Sequence, residues 1–166
     1  ELGLVPSNRE GFMTIEQGGL KIDGERVTDK KLQITADSFK DGKMLVEKIR
    51  QRWPGLPLTA LGTNSIATST MLRAGADEGA TGENPVIYNA GSADVIIGPI
   101  GIVLANSLLG EITPAMAAAV AQSDAQKILI PMNRCKSAVA GVVDASLAEY
   151  IELAANLLQK FLADKI

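Results

Sequence analysis

From Lys31 onward, short aliphatic runs alternate with segments whose apolar residues recur at helical spacing. That alternation constrains the fold more than any other feature. A strand followed each time by a crossover helix must pair in parallel, and a parallel sheet needs helices on both faces. The runs KLQITAD, LPLTALGTN, PVIYNA, ADVIIG, KILIPMN and AVAGVV read as strands, and ADEGATGEN between them reads as loop. DGKMLVEKIRQRW carries apolar residues at 44, 45, 49 and 53 and stops at Pro54, which predicts a helix. SIATSTMLRAG predicts a second, capped by Asn64 or Ser65 and ended at Gly75. A further helix is expected from about Gly101 or Ile102 to Gly110. Thr113 then caps AMAAAVAQS, with Pro114 at the first helical position. SLAEYIELAANLLQKFLADK closes the chain as a long amphipathic helix. The expected architecture is a Rossmann-like three-layer α/β sandwich with a mainly parallel sheet, formed by residues 31–166 as one domain. Residues 1–30 are rich in turn formers and read as an N-terminal extension holding at most a small hairpin, with Asp23-Gly24 as its turn.

Composition narrows the chemistry. The chain of 166 residues has no histidine, which removes Ser-His-Asp and Cys-His mechanisms and the commonest metal ligand. Its one cysteine, Cys135, cannot form an intramolecular disulfide and suits a reducing compartment, so a cytoplasmic location is expected. The net charge of −3 gives no basic footprint for nucleic acid. The oily stretch of residues 95–109 is broken by Gly98, Pro99, Gly101, Asn106 and Ser107, so no membrane span is expected.

Right-handed crossovers gather the strand C-termini on one edge, where open α/β sheets bind their ligands. Three polar or glycine-rich exits meet there in this reading. Gly62, Thr63, Asn64 and Ser65 follow one strand; Gly98, Pro99, Ile100 and Gly101 follow another; Asn133 and Arg134 leave a third. Glycines at 98 and 101 would let backbone amides approach an anion, or would simply shape a tight turn. Arg134 suits bidentate contact with phosphate or carboxylate, or a surface ion pair. Glu83, in the loop closed by Glu83-Asn84, is the candidate general acid or base, against the reading of a solvated acid. Asn106, with Ser107 and Glu111 nearby, needs a partner if buried and is a candidate ligand contact. Cys135 has no histidine to activate it and reads as a plain small side chain.

The phrases LTALGTNSIATSTMLRAGADEGATGEN and ADVIIGPIGIVLANSLLGEITPAMAAAVAQSDAQKILIPMNRC closely resemble the DUF3842 family of uncharacterised bacterial proteins, over residues 43–143. The resemblance implies an α/β fold and no particular activity. It also implies a glycine-rich loop, DGQGGGIG, between the first strand and first helix. Here that stretch is ITADSFKDGKMLVEK, where only Gly42 remains and Asp37, Phe39 and Asp41 stand where an anion cradle needs small, uncharged residues. The order strand, IIGP, polar turn, then ITPAMAAAVAQSDAQKILI is also similar to the phosphate-side half of CofD-like nucleotide-binding proteins.

The expected function is binding of a small phosphorylated ligand, a nucleotide or sugar nucleotide, at the C-terminal strand ends. Group transfer or hydrolysis would lean on electrostatics, with Mg²⁺ accompanying a nucleotide as the one cofactor implied. The alternative is a non-enzymatic oligomeric or regulatory protein with a vestigial pocket. A homo-oligomer is expected in either case, with no nucleic-acid or membrane partner.

Overall fold

A computed structural model describes residues 21–22, 25–26, 32–36, 39–131, 138–142 and 144–164. Two short strands come first: β1 (Lys21–Ile22) and β2 (Glu25–Arg26) pair antiparallel, Lys21 opposite Arg26. The expected turn between them at Asp23-Gly24 lies outside the described residues.

The body of the fold is one five-stranded sheet. In chain order its strands are β3 (Leu32–Ala36), β4 (Leu58–Gly62), β5 (Glu78–Thr81), β6 (Val95–Pro99) and β7 (Gln126–Ile130). Their spatial order is β5-β4-β3-β6-β7, and every pairing is parallel. The chain runs outward from β3 to β5, then returns to the other side of β3 to lay down β6 and β7. This is the order of a Rossmann-like sheet, with its topological switch point between β3 and β6.

The helices are α1 (Phe39–Arg52), α2 (Ser65–Arg73), α3 (Glu83–Ala90), α4 (Pro114–Gln122) and α5 (Leu147–Asp164). Strand alternation divides their partners between two apolar cores. Leu58 and Ala60 of β4 and Val95 and Ile97 of β6 face one core, closed by Leu45, Ile49 and Trp53 around α1, Met71 of α2, and Ile151, Ala155 and Leu158 of α5. Leu61 and Ile96 face the other, closed by Val86 of α3, Met116 and Val120 of α4, and Ile102 and Ile112 between them. Helices on both faces of a parallel sheet make the three-layer sandwich.

Four readings of the sequence are corrected by the coordinates. PVIYNA is not a strand but most of α3, because only Val86 and Ala90, four residues apart, find a core to enter. Part of the expected loop before it is β5, an edge strand whose residues are mostly exposed. The expected helix from 101 to 110 is two short 3₁₀ segments, Ile100–Val103 and Leu108–Gly110. Positive φ at Asn106, Leu108, Leu109 and Gly110 prevents a continuous helix there. Residues 138–142 of AVAGVV turn at 140–141 and form no strand. Among the described residues, no helix is long and apolar enough to cross a membrane.

Candidate functional site

Two neighbouring parts of the C-terminal sheet edge carry the polar residues. The first lies at β4 and β5. Gly62 ends β4 with no room for a side chain: a Cβ there would sit 2.2 Å from Thr68 Oγ1 and 2.7 Å from the Thr68 amide nitrogen. That closeness lets α2 start directly over the strand end. Asn64, in extended geometry, caps the helix by accepting from the Ala67 amide at 2.9 Å. The N–H groups of Ser65 and Ile66 are left at the open end of the helix. On the neighbouring strand, the Gly82 amide donates to the Gly62 carbonyl at 3.0 Å, and Gly82 (φ 101°) starts α3 in a conformation that L side chains disfavour.

Two carboxylates close this part of the rim. Glu111 accepts a hydrogen bond from the Thr63 hydroxyl and another from Asn64 Nδ2 at 3.4 Å. Glu83, in the first turn of α3, accepts from the Thr113 hydroxyl, whose oxygen in turn accepts from the Met116 amide and caps α4. The starts of α2, α3 and α4 are thus tied together by Thr63, Asn64, Glu83, Glu111 and Thr113. Negative groups at helix N-termini are favoured by the helix dipoles.

The second part is the switch point. Thr35 of β3 is fully buried, and its hydroxyl has no hydrogen-bond partner among the described residues. Thr35, Asp41, Gly42, Gly98, Pro99 and Leu147 line a small cavity of about 10 Å³, room for a single water. Gly98 draws β6 against β3: a Cβ there would lie 2.3 Å from the Thr35 carbonyl oxygen. Asp41 is in the first turn of α1 and is buried. An acid in that place is suited to hydroxyls or cations more than to a phosphate. β4 and β6 flank β3, so their ends lie two strand spacings apart, roughly 10 Å. Among the described residues no group of three or more His, Cys, Asp or Glu side chains is arranged to hold a metal.

The structure thus brings Thr63 and Asn64 together through Glu111, and holds Glu83 to Thr113 beside them. Ser65 is exposed at the start of α2. Gly98, Pro99, Ile100 and Gly101 sit at the switch-point side, where Ser107 Oγ donates to the Gly101 carbonyl at 2.5 Å. Asn106 stands apart: it is exposed in the turn, and its backbone N–H donates to the Ile112 carbonyl at 2.8 Å. A buried-polar demand therefore does not arise for it. Asn133 and Arg134, with Cys135, lie outside the described residues. Sequence reasoning missed Thr35. Its signal was a hydroxyl next to the last position of the central strand, at the edge where ligands bind.

Short stretches of the chain are similar to tyrosine–tRNA ligases. That of Burkholderia thailandensis is 43% identical over 60 residues, 36% of this chain and 13% of the ligase. That of Clostridium botulinum (strain Eklund 17B) is 42% identical over 50 residues, and that of Clostridium kluyveri 38% over 53. These matches span 12–13% of the ligases' own length. The model of a domain of unknown function, DUF3842, matches residues 34–163, from within β3 to the last turn of α5, and the chain belongs to that family.

Proposed function

We propose that the protein binds a small phosphorylated ligand, a nucleotide or sugar nucleotide, across the C-terminal ends of β4, β3 and β6. The observation that carries this reading is the strand order, with its switch point between β3 and β6 beside the open end of α2. The phosphate would meet the amides of Ser65 and Ile66 with Thr63 and Asn64, displacing Glu111 from them. The sugar hydroxyls would lie toward Asp41, an acceptor better suited to hydroxyls than to phosphate. Mg²⁺ would arrive mainly on phosphate oxygens, since such ions keep most of their waters and need few protein ligands. Glu83 is the acid or base candidate for any transfer or hydrolysis.

Thermal-shift and equilibrium-dialysis titrations with nucleotides, sugar nucleotides and inorganic phosphate test the proposal. At a hundredfold excess over Kd, binding adds about 2.7 kcal/mol of stability. Asn64→Ala should abolish that increment, and no stabilisation by any phosphate compound would remove the proposal.

The likeness to tyrosine–tRNA ligases favours a second reading, in which the matching segment contacts tRNA. Residues 1–53 hold ten of the sixteen Lys and Arg and nine of the nineteen Asp and Glu, a net charge of +1 against −4 for the rest of the chain. A gel-shift titration with tRNA at two salt concentrations separates the readings, because phosphate contacts weaken steeply with salt.

A further inference from the structure

The outer face of α5 and β7, the last strand of the sheet, border an apolar groove of about 680 Å³, lined by Ile128, Ile130, Tyr150, Leu153, Ala154 and Leu157. Leu153 and Leu157, one turn apart, are 55% and 53% exposed although they stand beside this groove. The buried stripe of α5 (Ile151, Ala154, Ala155, Leu158 and Leu162) already anchors the helix to the sheet. The two leucines therefore add nothing to the core formed by the described residues.

We infer that the groove is the interface of a two-fold dimer, occupied by α5 of a second copy running antiparallel. The charges flanking the leucines identify the occupant. Glu149 lies N-terminal to them and Lys160 C-terminal, and both are exposed. At 3.6 residues per turn, all four side chains fall within about 80° of one another around the helix. A two-fold axis perpendicular to α5, midway between Leu153 and Leu157, sets each leucine against the other in the partner copy. The midpoint of Glu149 and Lys160 falls within half a residue of that same point. The axis that pairs the leucines thus also pairs each glutamate with the opposing lysine, twice. An isologous interface must be complementary to itself, and this stripe is. A parallel arrangement would instead set glutamate against glutamate. The groove offers room for the incoming leucines, and the outer edge of β7, unpaired among the described residues, is covered in the process.

The inference is independent of the ligand proposed above. Sedimentation equilibrium of the full chain should show a monomer–dimer equilibrium. Leu153→Asp and Leu157→Asp should each shift it to monomer with an unchanged melting curve at low concentration, since both side chains are exposed in the single copy. Lys160→Glu should weaken dimerisation at least tenfold, and Glu149→Lys added to it should recover most of the loss. A chain that is monomeric at all concentrations overturns the inference. So does a dimer indifferent to the two Asp substitutions, or a lowered melting temperature in Leu153→Asp monomer, which would mean that another part of the same chain fills the groove.

Discussion

The β4–β5 end of the sheet edge and the β3–β6 end lie side by side, yet they treat polar groups in opposite ways. At β4–β5, Thr63, Asn64, Glu83, Glu111, Thr113 and Thr68 all bond within the chain, and the links tie three helix starts together. At β3–β6, a fully buried hydroxyl on Thr35 has no partner among the described residues, beside a cavity large enough for one water. Partnered groups hold architecture, and a buried unpartnered group carries a cost that the fold has kept. The difference teaches that polar residues at a strand end are not equivalent evidence of a site.

The glycines test this contrast most severely, because they look alike in sequence at both ends. Each is required by backbone packing whether or not a ligand approaches it. Gly98→Ala would drive a Cβ to 2.3 Å from the Thr35 carbonyl, and Gly62→Ala would drive one into both the side chain and backbone of Thr68. Neither obstruction is the flexible tip of a long side chain. Each substitution should cost about 3 kcal/mol, the upper part of the usual range for overpacking, and Gly98→Ala should also splay β6 from β3. Denaturant unfolding of the two variants measures it. Near-wild-type stability in either would return that glycine to the ligand reading.

The hydroxyls give a smaller and sharper test, because the two ends should respond with opposite sign. Thr68 Oγ1 pairs with Thr81 Oγ1 at 2.7 Å and reaches the carbonyls of Asn64 and Ala80. Thr68→Val should cost about 1–2 kcal/mol, since it removes those bonds and leaves partners behind. Thr35→Val keeps the shape, and should be neutral or stabilise by up to about 1 kcal/mol. A clear loss of stability in Thr35→Val would show that the hydroxyl holds a bound water or ion, and the contrast between the ends would fall.

What could be read from the sequence follows the same division between repeated patterns and particular contacts. β3, β4, β6 and β7 announce themselves as aliphatic runs, and α1, α2, α4 and α5 through spacing, caps and prolines. These depend on burial repeated over many residues, which period and punctuation record. α3 was obscured because Val86, Ile87 and Tyr88 favour strands locally, while Ile87 and Tyr88 stay exposed and only the Val86–Ala90 spacing serves the core. Pro85 in the first turn was the available signal. β5 gives no alternation because it is an exposed edge strand. The segment after β6 was misread because its left-handed residues include Leu108 and Leu109, where sequence offers no glycine to warn of them. At the site, Thr63, Asn64 and Glu83 could be found from their places at strand ends. Their partners Glu111 and Thr113 lie 30 to 48 residues away, and no local pattern encodes such a pairing.

The smallest effect belongs to an exposed group whose bonds are all made, the limiting case of the partnered kind. At the start of α5, Ser146 Oγ and the Ser146 amide both donate to Glu149 Oε2 at 2.7 Å, and the Glu149 amide donates back to Ser146 Oγ at 3.3 Å. This is a capping box. The side-chain bond from Ser146, followed by the backbone bond, holds the Glu149 carboxyl below its ordinary value of 4.5. A carboxyl depressed in the folded state contributes stability that is present above its unfolded pKa and lost as pH falls through its folded one. The contribution should therefore be complete at neutral pH and fade only below about pH 4.5, the ordinary value for this carboxyl. NMR titration of the Glu149 side chain should show the depressed value, and Ser146→Ala should return most of it to normal. Because Glu149 also faces Lys160 of the second copy in the dimer inferred above, the titration belongs at a concentration where the chain is monomeric. A depression that survives Ser146→Ala there would mean that the bond from the Ser146 backbone amide, and not the one from its hydroxyl, sets it.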